Sequence, residues 1–92
     1  MTTQTVINEQ QNVITAQDKQ VAELLADPDI SVEKKALLDE AAELLKKAQD
    51  ALDDAQKALD DGDEEEAIAK LAESVGYSSE AAAKIKQALE LD

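Results

Sequence analysis

The sequence predicts an all-α protein, a three-helix bundle built on a long antiparallel αα-hairpin. Three observations carry this. Leu38, Ala41, Leu45, Ala48, Leu52, Ala55 and Leu59 recur at alternating spacings of three and four residues, an unbroken heptad seam. Ile68, Leu71, Val75, Ser78, Ala82, Ile85 and Leu89 repeat that spacing after a short turn at Gly62. The apolar residues are mainly Leu and Ala, both strong helix formers, and Tyr77 is the sole aromatic. A chain of 92 residues holds one domain at most, with one modest aliphatic core.

The middle helix is the most strongly marked. Ser31 is a suitable N-cap, and Asp60, Asp61 and Gly62 supply a stop, which predicts a helix over 32–60. Small Ala layers between Leu layers let a neighbour come close. Leu37, Leu44, Ala51 and Ala58 widen the apolar stripe so that this helix faces two neighbours.

Gly62 and Asp63 form the next turn. Asp63 caps the last helix with Glu66 three residues on, and Glu64, Glu65 and Glu66 occupy a first turn whose dipole favours negative charge. Two readings of the remainder follow. One helix runs over 64–91, or the chain breaks at Gly76 with Ser78 as a new cap, giving four helices. The phase of the stripe runs straight through Gly76, which favours one helix. Folding the chain about Gly62 then sets Leu52 near Leu71, Ala48 near Val75, Ala41 near Ala82 and Leu38 near Ile85, with Leu45 opposite Ser78.

The first segment is less regular. Ile7, Ile14, Val21 and Leu24 share a face, flanked by Val6, Val13 and Leu25 and interrupted by Gln10 and Gln17. Asn8 with Gln11 is a candidate cap for a helix ending near Ala26, before Asp27, Pro28 and Asp29. A competing reading takes residues 5–7 and 13–15 as strand fragments, but a lone two-stranded ribbon is marginal in water, so a helix is expected. Residues 1–5 are expected to be disordered and residues 6–92 to form the single helical domain. The Gln-rich face is either a loosely packed third helix or a surface that completes a homo-oligomer.

The missing residue types narrow the chemistry. There is no Cys, His, Phe, Trp or Arg. That leaves no thiolate nucleophile or ligand and no imidazole base, and it removes bidentate recognition of phosphate. Ser78 and Ser79 lack the usual partner for a nucleophilic hydroxyl. No enzyme activity and no cofactor or metal are expected. The net charge of −13 opposes direct contact with nucleic acid or an anionic membrane and favours a protein partner with a basic surface. No stretch approaches membrane-spanning length, and residues 1–4 carry no basic, apolar leader, so a cytoplasmic location is expected.

Gly62, Asp63, Glu64, Glu65, Glu66, Ala67 and Ile68 resemble the turn and second-helix start of a tetratricopeptide repeat, and Ala88, Leu89, Glu90, Leu91 and Asp92 are similar to its close. The resemblance covers well under half the chain. The close arrives later than the repeat places it, and the Trp, Leu-Gly and Tyr positions of the first helix have no counterpart. Kinship implies a peptide-binding scaffold, not an enzyme.

The candidate site is an acidic tip. Asp50, Asp53, Asp54, Asp60, Asp61, Asp63, Glu64, Glu65 and Glu66 are opposed only by Lys57, a local charge of −8. An EF-hand is excluded, because with Gly62 as its sixth residue the first, third and twelfth positions fall on Lys57, Leu59 and Ile68. Tyr77 is expected to pack against the first helix or send its hydroxyl to solvent, and is a second candidate contact. The chain thus reads as a small acidic helical protein-interaction module. The alternatives are an acidic DNA mimic of the kind phages encode, which inhibits a nucleic-acid-binding protein, and a structural or assembly subunit.

Overall fold

Local signals place three helices in the computed structural model, which describes residues 2–91: α1 (Thr3–Leu25), α2 (Val32–Asp60) and α3 (Glu64–Leu89). Each begins on a side-chain oxygen that accepts a first-turn amide. Thr2 accepts from Thr5 N, Ser31 from Lys34 N and Asp63 from Glu66 N, at 3.0–3.1 Å. The α2 end is a Schellman turn: Gly62 N donates to Leu59 O at 3.0 Å and Asp63 N to Ala58 O at 2.9 Å. Gly62 has φ +84°, a conformation glycine adopts without a Cβ penalty. After α1, Asp27 Oδ1 accepts from Asp29 N at 2.9 Å and turns the chain around Pro28.

The helices run up, down and up in a rod of 48 × 17 × 15 Å. The α2–α3 pair packs most extensively, and α1 lies along it with more contact to α2 than to α3. The core gathers Ile7, Ile14 and Val21 from α1, Leu38, Leu45 and Leu52 from α2, and Leu71 and Ile85 from α3. Between these layers α2 buries Ala41, Ala48 and Ala55, and α3 buries Ala67, Ser74, Ala81 and Ala88, all fully covered. Ser74 Oγ donates to Ala48 O at 2.8 Å, which fixes the register of the pair. That register sets Ala55 against Ala67 and Ala41 against Ala81. Small residues at heptad spacing on both helices let the axes approach closely, in keeping with the extensive α2–α3 contact.

Two expectations hold against their alternatives, at Gly76 and over residues 5–15, and two are corrected, the start of the first helix and the buried face of the last. The break at Gly76 does not occur: α3 is one helix, and its glycine sits exposed within it. The helical start of the chain lies further upstream than Asn8. Thr2 caps α1 and Thr3–Thr5 form its first turn, where the sequence suggested disorder; Met1 lies outside the described residues. Strand fragments at 5–7 and 13–15 give way to α1. The stripe of α3 is rotated: Leu71, Ser78 and Ile85 are buried, but Ile68, Val75, Ala82 and Leu89 are exposed, and Ala67, Ser74, Ala81 and Ala88 take the inner line. The close α2–α3 approach is the reason, since it admits only small side chains.

A Cβ at Gly76 meets nothing within 4 Å. Gly76→Ala is therefore expected to raise stability by up to about 1 kcal/mol in a urea unfolding curve, through lower backbone entropy in the unfolded chain. A decrease would mean that the helix is not continuous there.

Candidate functional site

The acidic tip is built by the α2–α3 turn and the last turns of α2. All nine of its carboxylate residues are exposed. They divide into faces. Asp50 and Asp54 line the outer α2–α3 groove with Lys47, Ala51, Glu73 and Tyr77. Asp54, Asp61, Asp63 and Glu66 line its continuation toward the turn, with Lys57 and Lys70. Asp53 and Asp60 fall on the α1 flank, accepting from Gln49 and Gln56 of their own helix at 2.9 Å. Glu64 accepts from Thr3 Oγ1 at 2.8 Å and so ties the tip to the start of α1. Glu65 stands exposed without a side-chain bond. The tip is thus a charged end with one principal row on the α2–α3 side, and it forms no enclosed cavity.

Charge pairing lies elsewhere. Lys35 meets Asp39 at 2.9 Å, Lys84 meets Glu40 at 3.5 Å, and Lys70 meets Glu73 at 3.6 Å. Among the described residues no ion pair reaches the nine tip carboxylates, and no group of three or more acidic, Cys or His side chains is placed to hold a metal ion. No helix among them is long and apolar enough to cross a membrane. Tyr77 is half-buried and packs on α2 beside Asp50 and Asp54, so its expected contact with the first helix is corrected. The cause is the rotation of α3, which swings Tyr77 toward α2.

The glutamines of α1 proved to be fasteners. Gln4 and Gln56 exchange two amide hydrogen bonds, at 2.7 and 2.9 Å, and Gln11 and Gln49 exchange two at 2.8 Å. Both partners step by seven residues, so the pairs stack as a ladder. One heptad on, α1 carries Asp18 where a third glutamine would stand, and partial burial raises its carboxyl above its ordinary value.

On the α3 side a buried network joins all three helices. Gln10 Nε2 donates to Ser74 Oγ at 3.2 Å and to Ser78 Oγ at 2.9 Å. The two hydroxyls pass their own protons to Ala48 O and Val75 O. Gln17 Nε2 donates to Ser78 O at 3.2 Å, leaving its Oε1 buried without a partner. The signal was present in the sequence: Gln10 and Gln17 interrupt one apolar stripe, and Ser78 interrupts the other. Sequence reasoning did not bring them to the same height.

Comparison with protein families, with curated proteins and with solved structures finds no match for this chain.

Gln10→Ala removes both donors and opens a buried gap. It is expected to cost about 1–3 kcal/mol, whereas Gln20→Ala on the exposed side should cost under about 0.5 kcal/mol. Equal thermal midpoints for the two variants would mean that the network does not hold α1 in place.

Proposed function

We propose that this chain is a non-enzymatic protein-interaction module that captures a partner with a basic surface through its acidic tip. The observation that carries the reading is the concentration, at one end of a rod, of nine exposed carboxylates that no ion pair among the described residues reaches. Like charges held together there oppose folding of the monomer, and an opposite surface relieves that cost while speeding encounter. The open grooves at the tip and the lack of an imidazole are in keeping with a binding role. Kinship with tetratricopeptide scaffolds, which the turn resembles, fits the same class.

A second reading is supported by the row on α2. Asp50, Asp54 and Asp61 stand roughly 6 and 10 Å apart along the axis at 1.5 Å per residue, a spacing that suits a surface evolved to hold phosphates. In that case the partner is a nucleic-acid-binding protein, and nucleic acid competes with this chain for it.

The test is association kinetics with the partner recovered from the source lysate, at low and high salt. The variant Asp60→Asn, Asp61→Asn, Glu64→Gln, Glu65→Gln is expected to associate on the order of tenfold more slowly at low salt and to lose most of the salt dependence. The control Glu33→Gln, Glu40→Gln, Glu43→Gln, toward the other end of the hairpin, should change the rate far less. A tip variant that binds as fast as the native chain at low salt removes the proposal.

A further inference from the structure

A line of exposed apolar residues runs from beside the tip along the α1–α3 flank. Among the described residues six large hydrophobic ones are exposed: Val32 and Leu91 stand at or beyond helix ends, and Val13, Ile68, Val75 and Leu89 are within helices, 42–52 % exposed. Ile68, Val75, Ala82 and Leu89 recur every seven residues, a straight line roughly 32 Å long at 1.5 Å per residue. Helices α1 and α3 run in the same direction, as the bonds from Thr3 to Glu64 and from Gln10 to Ser74 show. This line therefore borders α1 along its length, with Val13 on the same flank. Where α1 nears its end, the two helices leave a groove lined by Gln17, Gln20, Ala82, Ile85, Lys86 and Leu89.

Two further facts concern what fits there. Beside the apolar line α3 exposes only Ala72, Gly76 and Ser79 over two turns, without a charge. Glycine inside a helix is unfavourable relative to alanine, and no neighbour within 4 Å requires it at position 76. A helix docking from outside gains from such a site, because the backbones approach closely over small residues. The rims are acidic: Glu9 and Glu23 on α1 and Glu65 on α3, all exposed, against Lys86 alone.

We infer that the α1–α3 flank is the docking groove for an amphipathic helix of a partner, about twenty residues long, apolar at heptad spacing and lysine- or arginine-rich along its edges. The inference rests on the proposed capture of a basic partner and names the part of that partner that is bound. Charge decides the occupant. A second copy of this chain brings the same acidic rims and a charge of −13 to meet −13, whereas a basic helix pairs with the rims and covers the apolar line. The acidic tip adjoins one end of the groove, so it draws the helix in and the groove holds it.

The test uses the full chain, isotopically labelled for amide spectra. The probe is a synthetic 21-residue helical peptide with Leu at its heptad core positions and Lys at the flanking ones, beside an otherwise identical peptide with Glu at the flanks. The Lys peptide is expected to bind saturably and shift amides around Val13, Val75, Ala82 and Leu89, and the Glu peptide to bind at least tenfold more weakly. Val75→Glu should weaken the Lys peptide at least tenfold, chiefly through faster dissociation, while the variant keeps its helical spectrum and melting point. The tip variant should slow association and leave dissociation unchanged. Should only this last result fail, the tip reading falls and the groove stands. No saturable shift on the flank, equal binding of the two peptides, or full affinity in Val75→Glu overturns the inference. So does a free chain that sediments as a dimer and becomes a monomer on Val75→Glu, which assigns the flank to a second copy.

Discussion

The close pairing of α2 with α3 is the interaction from which the rest of the structure follows. Ala41, Ala48 and Ala55 face Ala81, Ser74 and Ala67 in one register, each fully buried. Alanine contributes little transfer energy per residue, so this layer stabilises mainly by letting two long backbones and their Leu layers approach and exclude water. The larger apolar residues of α3 do not fit there. They turn outward, and Ile68, Val75 and Leu89 become surface. The same rotation carries Tyr77 onto α2 and brings Ser74 and Ser78 to the junction with α1. One steric constraint thus sets the core, the position of the aromatic residue and the open flank.

The first helix is held differently. Its apolar face is narrow, with Ile7, Ile14 and Val21 supplying the buried centre. Specific polar contacts complete the attachment: the glutamine ladder to α2 and the Gln10 network to α3. Such contacts add modest net stability but penalise a shift in register, because a displaced helix leaves buried amides unpaired. Slipping α1 by one heptad would set Gln11 against Gln56, put Asp18 in place of a glutamine against Gln49 and leave Gln4 unmatched. The helix nearest the open flank is therefore fixed in position yet contributes the smaller share of the packing, an arrangement suited to presenting a surface.

Much of this was legible in the chain. Ser31, Asp63 and Gly62 marked the hairpin because caps and turns are local, decided by a few residues. The Leu–Ala seam of α2 named its core face directly. On α3 the sequence was ambiguous: Ile68, Val75 and Leu89 are more hydrophobic than Ala67, Ser74 and Ala81, so periodicity weighted by hydrophobicity points about one residue away from the true face. Only the presence of the matching Ala line on α2 resolves it. At the N-terminus, Thr2 outcompeted Asn8 as the cap because the glutamine pair at Gln4 and Gln56 and the bond from Thr3 to Glu64 reward extra turns, and those are contacts across more than fifty residues. The acidic tip was visible as a cluster, but its division between the α2–α3 groove and the α1 flank depends on helix phase in three dimensions.

The account therefore turns on the small-residue layer, and overpacking it is the most direct test. Ala48 is fully buried against Ser74 of α3, while Ala42 on the same helix is exposed. Urea unfolding of Ala48→Leu beside Ala42→Leu separates burial from helix propensity, since the residue type is the same in both. The account predicts a loss of about 1–3 kcal/mol or more for Ala48→Leu and a change within about 0.5 kcal/mol for Ala42→Leu. An Ala48→Leu chain as stable as the native one would show that α2 and α3 are not held at close approach, and the reason given for the outward face of α3 would fail with it.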